Sequence, residues 1–263
     1  MVKTGSTSRS TRRVTFLSAT LTVLAKFLSA TAKFLSATLT VLAKDLRIEL
    51  STREIVTTAG FFAALVAIMA SLAFVTGAET ASTRVAPGAM WLAIAFAAVL
   101  ALGRTWQRER DESALLGLVV SPIPRAAIWC GKALGVFAFL GAVEIVVVPL
   151  VALLCHADLW PVLGPLLVVV LAGTVGVAAM GTLFGAMTVR TRARELILAT
   201  VLFPLLSPAL LSSVTATREI FYAAASGTPV PMGEVGDWLR LLAVFDLVAI
   251  AGGLGLFGQL LED

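Results

Sequence analysis

The chain has 263 residues, of which 59% are hydrophobic and 14% are charged, and its mean hydropathy is +0.97. These values exclude an ordinary soluble domain, in which about half of the residues are apolar and about a quarter are charged. The formal net charge of +4 does not indicate nucleic-acid binding, because basic residues on so apolar a chain mark the cytoplasmic face of a bilayer. We therefore expect one all-α, polytopic membrane domain without a nucleic-acid partner.

The N-terminal segment contains the string FLSATLTVLAK twice, at 16–26 and at 34–44. The repeat period of 18 residues equals five helical turns, so both copies display the same face. One side of this helix is apolar, and Lys26, Lys33 and Lys44 lie on the other side. No charge-free run in this region is long enough to span a bilayer. The pattern predicts an amphipathic helix on an anionic membrane surface.

An export signal is the alternative interpretation of this region. The string TRRVTFL at 11–17 loosely resembles a twin-arginine signal, and Ala30-Thr31-Ala32 imitates a small-residue cleavage site. Cleavage there would leave the lysines and arginines of 33–53 outside, against the positive-inside rule. Under either interpretation we expect no core function from residues 1–43, an N-terminal extension, and we expect one six-span domain at 44–263.

Six apolar runs are long enough to cross about 30 Å of hydrocarbon. They are 55–78, 85–103, 126–155, 159–189, 196–217 and about 238–261. Of the 20 Lys and Arg residues, 17 lie in three segments. These segments are the chain before span one, the stretch from Arg104 to Lys132, and the connection between spans four and five. This asymmetry predicts an even number of spans with both termini cytoplasmic. Residues 218–237 indicate an irregular external loop or a re-entrant hairpin.

Charged residues interrupt two of the spans. Lys132 and Glu144 lie in span three, and Asp246 lies in span six. A charge at the bilayer centre costs about 2.5–3.5 kcal/mol on insertion scales, so the two carboxyl groups need an explanation. Either they line a polar path, act as proton-coupled groups or contact a partner subunit, or they are protonated carboxyls that hydrogen-bond a neighbouring helix and hold the bundle together.

The connection between spans two and three has a distinctive order. Dense charge at 104–112 precedes a short apolar stretch at 114–120, and then SPIPR follows at 121–125. The apolar stretch is too short to span a membrane, and the two prolines of the SPIPR string end a helix. The pattern predicts a short helix at the cytoplasmic surface, with an ordinary connection between spans as the alternative.

Four separated strings share one resemblance. They are KDLRIELSTREIV at 44–56, RERDESALLGLVVSPIPR at 108–125, RTRARELIL at 190–198 and WLRLLAVFDL at 238–247. Together they resemble the CcmB family, haem exporter protein B, which is the membrane subunit of the ABC transporter of cytochrome c maturation. The resemblance extends from Lys44 to Asp263 and gives the repeat at 14–43 no counterpart.

This resemblance implies a type-2 ABC exporter permease, with an amphipathic elbow helix at 44–56 and a cytoplasmic coupling helix between spans two and three. The coupling helix would dock into a CcmA-like cytoplasmic ATPase. The implied docking residues are Glu109, Glu112, Leu116, Ser121, Pro122 and Arg125. A basic cluster on the same face either touches the ATPase or anchors the positive-inside orientation; it consists of Arg190, Arg192 and Arg194.

The chain itself offers little cofactor chemistry. It lacks the G-x-x-x-x-G-K-[ST] phosphate loop, so ATP would act through the partner subunit and the chain is not expected to be an enzyme. His156 follows Cys155 at the predicted outer end of span three. A Cys–His pair can ligate iron, but the C-x-x-C-H signature is absent, and a buried thiol beside an interfacial histidine is the alternative. We expect no cofactor on this chain, with haem as cargo.

The resemblance also implies partners and a location. They are a CcmC-like haem-handling membrane subunit, a second copy of this chain, membrane lipids and the bacterial inner membrane. The spacings Gly131-x-x-x-Gly135 and Gly181-x-x-x-Gly185 allow close helix approach, either in a homodimer seam or within the chain. The expected function is ATP-driven haem delivery. The alternatives are a coupling subunit that releases haem without passing it, and a permease for drugs, lipids or polysaccharide.

Overall fold

The computed structural model describes residues 7–74, 79–111, 122–155, 158–188 and 194–262, and these residues contain helices and short connections but no strand. Seven α-helices follow one another in the described residues: α1 (Thr7–Thr52), α2 (Glu54–Phe74), α3 (Glu79–Asp111), α4 (Arg125–Leu154), α5 (Leu163–Thr188), α6 (Arg194–Ser226) and α7 (Met232–Glu262). A 3-10 turn at Trp160–Val162 precedes α5. The predicted all-α class is confirmed.

Six of the helices in the described part of the chain are long and apolar enough to cross a membrane. The spans are Glu54–Ala73, Val85–Glu109, Arg125–Leu154, Trp160–Thr188, Thr200–Ser226 and Met232–Leu260. This finding confirms the predicted number and order of spans. Helix α1 contributes none of them, as expected from a helix whose charges interrupt every apolar run.

The irregular loop that is one of the two predictions for 218–237 is wrong for most of this range. Helix α6 continues to Ser226, and α7 begins at Met232 after a turn at 227–231. Gly227 has a φ of 63°, a conformation that a glycine adopts without steric cost. The prolines and glycines that suggested a loop are concentrated in this turn, whereas Ile220 and Phe221 before it are buried in the helical bundle.

Helix α1 continues without a break from the repeat into the segment predicted to be an elbow. It ends at Thr52, and Arg53, with a φ of 54°, turns the chain into α2. Glu49 stabilises this junction, because its Oε1 accepts a hydrogen bond from the backbone N–H of Val56 at 2.8 Å. A carboxylate is favourable at the N-terminus of a helix. The elbow is therefore the end of one long helix and not a separate element.

Helix α5 lies at the centre of the bundle, in contact with α3, α4, α6 and α7. Its glycines accommodate large side chains of α3: Gly173 faces Trp91, Gly181 faces Leu102, and Gly185 faces Trp106. A Cβ atom at any of these glycines would lie only 2.3–2.4 Å from the opposing side chain. Any larger residue there would force the two helices apart.

The other predicted glycine pair joins α4 to α1. Gly131 packs against Val41 and the backbone of Thr38, and Gly135 faces Asp45. Both glycine spacings are therefore filled by packing within the chain. A homodimer seam would have to use other residues.

Candidate functional site

Four charged side chains from three helices meet where α1 packs against the ends of α3 and α4. We call Lys44, Asp45, Glu109 and Lys132 the charge cluster. The Lys132 Nζ atom lies 2.8 Å from Asp45 Oδ2 and also donates a hydrogen bond to Glu109. The Lys44 Nζ atom lies 2.6 Å from Glu109 Oε1. Two cations thus face two carboxylates.

The cluster is buried. Lys132 is 1% exposed, Glu109 is 4% exposed and Asp45 is 7% exposed. Taking a single charge out of water costs several kcal/mol, and a close partner offsets that cost only when the geometry is good. Each charge in the cluster has an opposite charge in contact, so the four groups stabilise one another only while α1, α3 and α4 stay together.

Lys44 lies at the rim of the cluster, outside the membrane spans, with 37% of its side chain exposed. Burial by itself would lower the pKa of its ammonium group, but the hydrogen bond and charge of Glu109, together with the charge of Asp45, raise that pKa above the usual lysine value. A raised pKa means that the protonated lysine stabilises the folded state. This contribution is present at neutral pH and is lost as the pH rises through the folded-state pKa.

A second set of ion pairs lies next to the cluster, at the junction of α1 and α2. Arg108 of α3 lies 3.6 Å from Glu49 and 3.2 Å from Glu54, and Arg104 lies 3.0 Å from Glu54. Arg104 and Glu54 are each nearly half exposed, so this pair contributes little to stability. The end of α3 is therefore attached to the junction by an exposed pair, Arg104–Glu54, and by a largely buried pair, Arg108–Glu49, and to the rest of α1 and to α4 by the buried pairs of the cluster.

The charge cluster borders the segment predicted to be the coupling helix. Helix α3 ends at Asp111, two residues after Glu109, and the described chain resumes at Pro122 just before α4. Because Glu109 contacts Lys132, an ion pair joins the two helices that flank this segment. The cluster therefore joins the two helix ends between which this segment lies.

The predicted docking residues have different surroundings. Glu112, Leu116 and Ser121 lie outside the described residues. Pro122 is exposed and Arg125 is half-buried. Glu109, in contrast, is buried and bound to two lysines, so its carboxylate faces the inside of the bundle and not a surface where a partner would dock.

The predicted basic cluster is described only in part. Arg190 and Arg192 lie outside the described residues, and Arg194 begins α6 with a side chain that is also outside them. Its function stays a prediction.

The two carboxyl groups within the spans both contact α5. Glu144 of α4 is 5% exposed and accepts a hydrogen bond from the Thr174 hydroxyl. Asp246 of α7 lies against Gly176, where a Cβ atom would come within 2.4 Å of Asp246 Oδ1. The two contacted residues, Thr174 and Gly176, are two positions apart on α5, and residues so spaced do not share a face of a helix. Glu144 and Asp246 therefore lie on different sides of α5 and do not form one shared path.

Of the predicted Cys155–His156 pair, only Cys155 belongs to the described residues. Cys155 ends α4 as a buried thiol whose Sγ donates a hydrogen bond to Ser71 Oγ at 3.8 Å. Burial raises the pKa of this thiol, although the Ser71 hydrogen bond opposes the shift. His156 lies outside the described residues, and the residues that are described contain no group of three or more His, Cys, Asp or Glu side chains able to hold a metal.

Sequence reasoning missed the charge cluster. Lys132 was visible as a cation inside an apolar span, and this position alone indicates that a carboxylate must lie nearby. Candidate acids such as Asp45 and Glu109 are 87 and 23 residues away along the chain. The sequence contains no signal that selects these partners over other acidic residues.

Comparison with known proteins assigns the family. The family model described as CcmB protein matches residues 36–254. The chain belongs to the CcmB family. The match includes all four members of the charge cluster, and it begins within the second copy of the repeat, two residues before Thr38, the first buried side chain of α1 among the described residues.

Three curated relatives of this CcmB-family chain carry the name Heme exporter protein B. The one from Rhodobacter capsulatus is 31% identical, over 57% of this chain and 68% of the relative. The one from Bradyrhizobium diazoefficiens is 26% identical, over 72% and 81% respectively. The one from Pseudomonas aeruginosa is 30% identical, over 76% of this chain and 88% of the relative. The chain is therefore a multi-pass membrane protein of this family, with six apolar helices in its described part.

Proposed function

We propose that this chain is the membrane permease subunit of an ABC-type haem exporter complex that is required for cytochrome c biogenesis. The observation that supports this most directly is the CcmB family match over residues 36–254, which includes most or all of every span. The names of the relatives supply haem as the cargo. Haem would be delivered or released at the periplasmic side.

ATP hydrolysis belongs to a separate subunit in this proposal. The chain contains no phosphate-binding loop, so a CcmA-like cytoplasmic ATPase would supply the energy. A CcmC-like membrane subunit would handle haem, and a second copy of this chain would complete the pair of membrane domains. The complex would lie in the bacterial inner membrane.

The end of the bundle that carries the charge cluster would face the cytoplasm. The distribution of Lys and Arg supports this orientation, since 17 of 20 belong to the segments that the positive-inside rule predicts to be cytoplasmic. Both termini would then be cytoplasmic, because the described spans are even in number.

The ATPase would dock on the segment between Asp111 and Arg125. Glu112, Leu116, Ser121, Pro122 and Arg125 are the proposed contacts. Glu109 would hold the base of this segment, since its carboxylate is bound within the chain. The arginines at 190, 192 and 194 would lie at the same end of the molecule.

Reconstitution tests the proposal. The chain and a CcmA-like ATPase are purified together, placed in liposomes with haem inside or outside, and supplied with ATP. ATP-dependent haem movement supports the permease function, and ATP-dependent haem release from a partner without movement supports the coupling alternative. If ATP changes neither haem movement nor haem release, the proposed function is wrong.

The docking surface has its own test. Arg125→Glu reverses a charge at the proposed surface, and Arg240→Glu reverses a charge on an exposed residue at the opposite end of the bundle. We expect the first variant to lose co-purification with the ATPase and the second to retain it. Equal retention by both variants would contradict the docking assignment.

A further inference from the structure

Helix α1 has an unusual attachment to the rest of the bundle. It has few contacts with α2, the span that follows it in the chain, and many with α4. Its face toward α4 consists of small or polar side chains, and within that face Asp45 contacts the buried Lys132. On the adjacent side Lys44 contacts Glu109. These two attachments of α1 therefore end on Lys132 and Glu109, the residues that flank the segment between α3 and α4, and Glu49 of α1 adds an ion pair to Arg108 at the same end of α3.

We propose that Lys44 and Asp45 are positioning residues that make α1 move together with the coupling segment. This proposal rests on the proposed function, because it assumes that an ATPase acts on that segment. Movement of the segment changes the positions of Glu109 and Lys132, since these residues flank it. A buried ion pair cannot be stretched without leaving a charge uncompensated, at a cost of several kcal/mol. Helix α1 therefore follows the segment as a rigid body.

The coupled movement of α1 also involves residues that precede the family match. Helix α1 is continuous from Thr7 to Thr52, and the match begins at residue 36. A helix of this length transmits displacement along its axis without bending sharply unless a proline or a similar break interrupts it, and α1 contains no proline. The N-terminal extension is thus driven by the same motion as the permease domain.

The geometry provides a reversible test. A Cβ atom at Gly135 would lie 3.8 Å from the Asp45 Cβ, which is the usual Cβ separation in a disulfide. The variant Asp45→Cys/Gly135→Cys, in a Cys130→Ser/Cys155→Ser background, removes the ion pair. Oxidation then reattaches α1 to α4 by a covalent bond. One protein can therefore be measured without the Asp45–Lys132 attachment and with α1 linked covalently to α4.

We expect the reduced variant to co-purify with the ATPase but to show ATP-driven haem movement or release lowered by about tenfold, the scale of a typical coupling energy. We expect oxidation to restore most of that activity. Equal activity of the two redox forms overturns the proposal, and so does loss of activity in both while the ATPase stays bound. The Cys130→Ser/Cys155→Ser background alone is the matched control, and its activity must not respond to oxidation.

A second measurement needs no haem, so that failure of the proposed function can be recognised separately. Spin labels at Ser36→Cys on α1 and Val244→Cys on α7, both exposed, are introduced into the Cys130→Ser/Cys155→Ser background. In the complex with the ATPase they report the distance between these helices with and without ATP and vanadate. In the protein with the wild-type cluster, we expect the distance between the two labels to depend on nucleotide. In the variant Lys44→Gln/Asp45→Asn, we expect this dependence to be lost. The pair Arg104→Gln/Glu54→Gln, which alters the exposed junction, is expected to retain the change. If α1 moves equally in all three proteins, the positioning role is wrong even if haem transport is established.

Discussion

The charge cluster and the two carboxyl groups within the spans show two ways of placing charged residues in one membrane bundle. In the cluster, buried side chains of α1, α3 and α4 contact opposite charges. Within the spans, Glu144 contacts a single hydroxyl and Asp246 lies against a glycine. Pairing across three helices makes each cluster member depend on the others. The isolated carboxyls depend only on α5.

This difference leads to a ranking of mutational effects. Replacing a cluster residue should strongly lower the free energy of unfolding, because its partners stay buried and charged. An isolated carboxyl should be replaceable by its amide, because no opposite charge is left behind. The predictions below test this ranking from the largest expected effect to the smallest.

Lys132→Met should have the largest effect. It leaves Asp45 and Glu109 close together with only Lys44 between them, and breaking a buried pair in this way costs about 3–5 kcal/mol. The measurement is the free energy of unfolding by detergent titration. The control is Lys132→Arg, which keeps the positive charge. If Lys132→Met is as stable as the wild type, the cluster does not hold the helices together.

Asp45→Asn should have a smaller effect, because Glu109 still contacts Lys132. We expect a loss of about 1.5–3 kcal/mol, the range for a hydrogen bond to a charged group. Trypsin cleavage within α1 should also become faster, since Lys26 and Lys33 lie on its exposed side. A rate of cleavage equal to that of the wild type would mean that Asp45 does not attach α1.

Glu144→Gln should cost about 0.5–1.5 kcal/mol, because the amide oxygen can still accept the hydrogen bond of the Thr174 hydroxyl. Thermal unfolding of Glu144→Gln and Asp45→Asn side by side provides the comparison. A midpoint that falls further for Glu144→Gln than for Asp45→Asn would reverse the ranking of the two regions.

Arg104→Gln should cost only about 0.2–1 kcal/mol, because it removes an exposed pair at the helix junction. Added salt should reduce this small difference further, since it screens exposed charges. The measurement is the unfolding midpoint at low and at high ionic strength. A large, salt-independent loss would show that the junction, and not the cluster, fixes the end of α3.

The pH dependence of the cluster should be the most subtle effect. Glu109 and Asp45 raise the pKa of Lys44 above the usual lysine value, so its stabilising contribution is complete at neutral pH and disappears only as the pH rises through that raised pKa. Unfolding midpoints of the wild type and Lys44→Met should therefore differ at pH 7 and converge in strongly alkaline solution. A difference that grows with pH would have the wrong sign.

Much of the architecture was predictable because it depends on local properties of the chain. The six spans follow from apolar length alone, and the four strings that resemble CcmB lie in segments that are contiguous in sequence. Even the error at 218–237 is local, because only the five residues 227–231 form a turn and the residues on either side of them are helical. The alanines at 223–225 favour a helix, whereas the prolines and glycines that follow them indicate a loop.

The charge cluster could not be predicted in the same way. Whether Glu109 faces a partner or the bundle depends on which residue lies opposite it, and that residue, Lys132, belongs to a different helix. The glycine spacings posed the same difficulty, because Gly131 and Gly185 fit either a second chain or a neighbouring helix. Both glycines turned out to pack against side chains of this chain, Val41 and Trp106.

The sequence by itself determined the membrane class, the number of spans and the family resemblance, because hydrophobic length and contiguous motifs require no knowledge of neighbours. Only the tertiary structure decided that α1 is one continuous helix attached to α4, that Glu109 points inward, and that Glu144 and Asp246 lie on different sides of α5. The physical reason is that the energy of a buried charge depends on the position of its partner in space. That position is set by the packing of whole helices against one another.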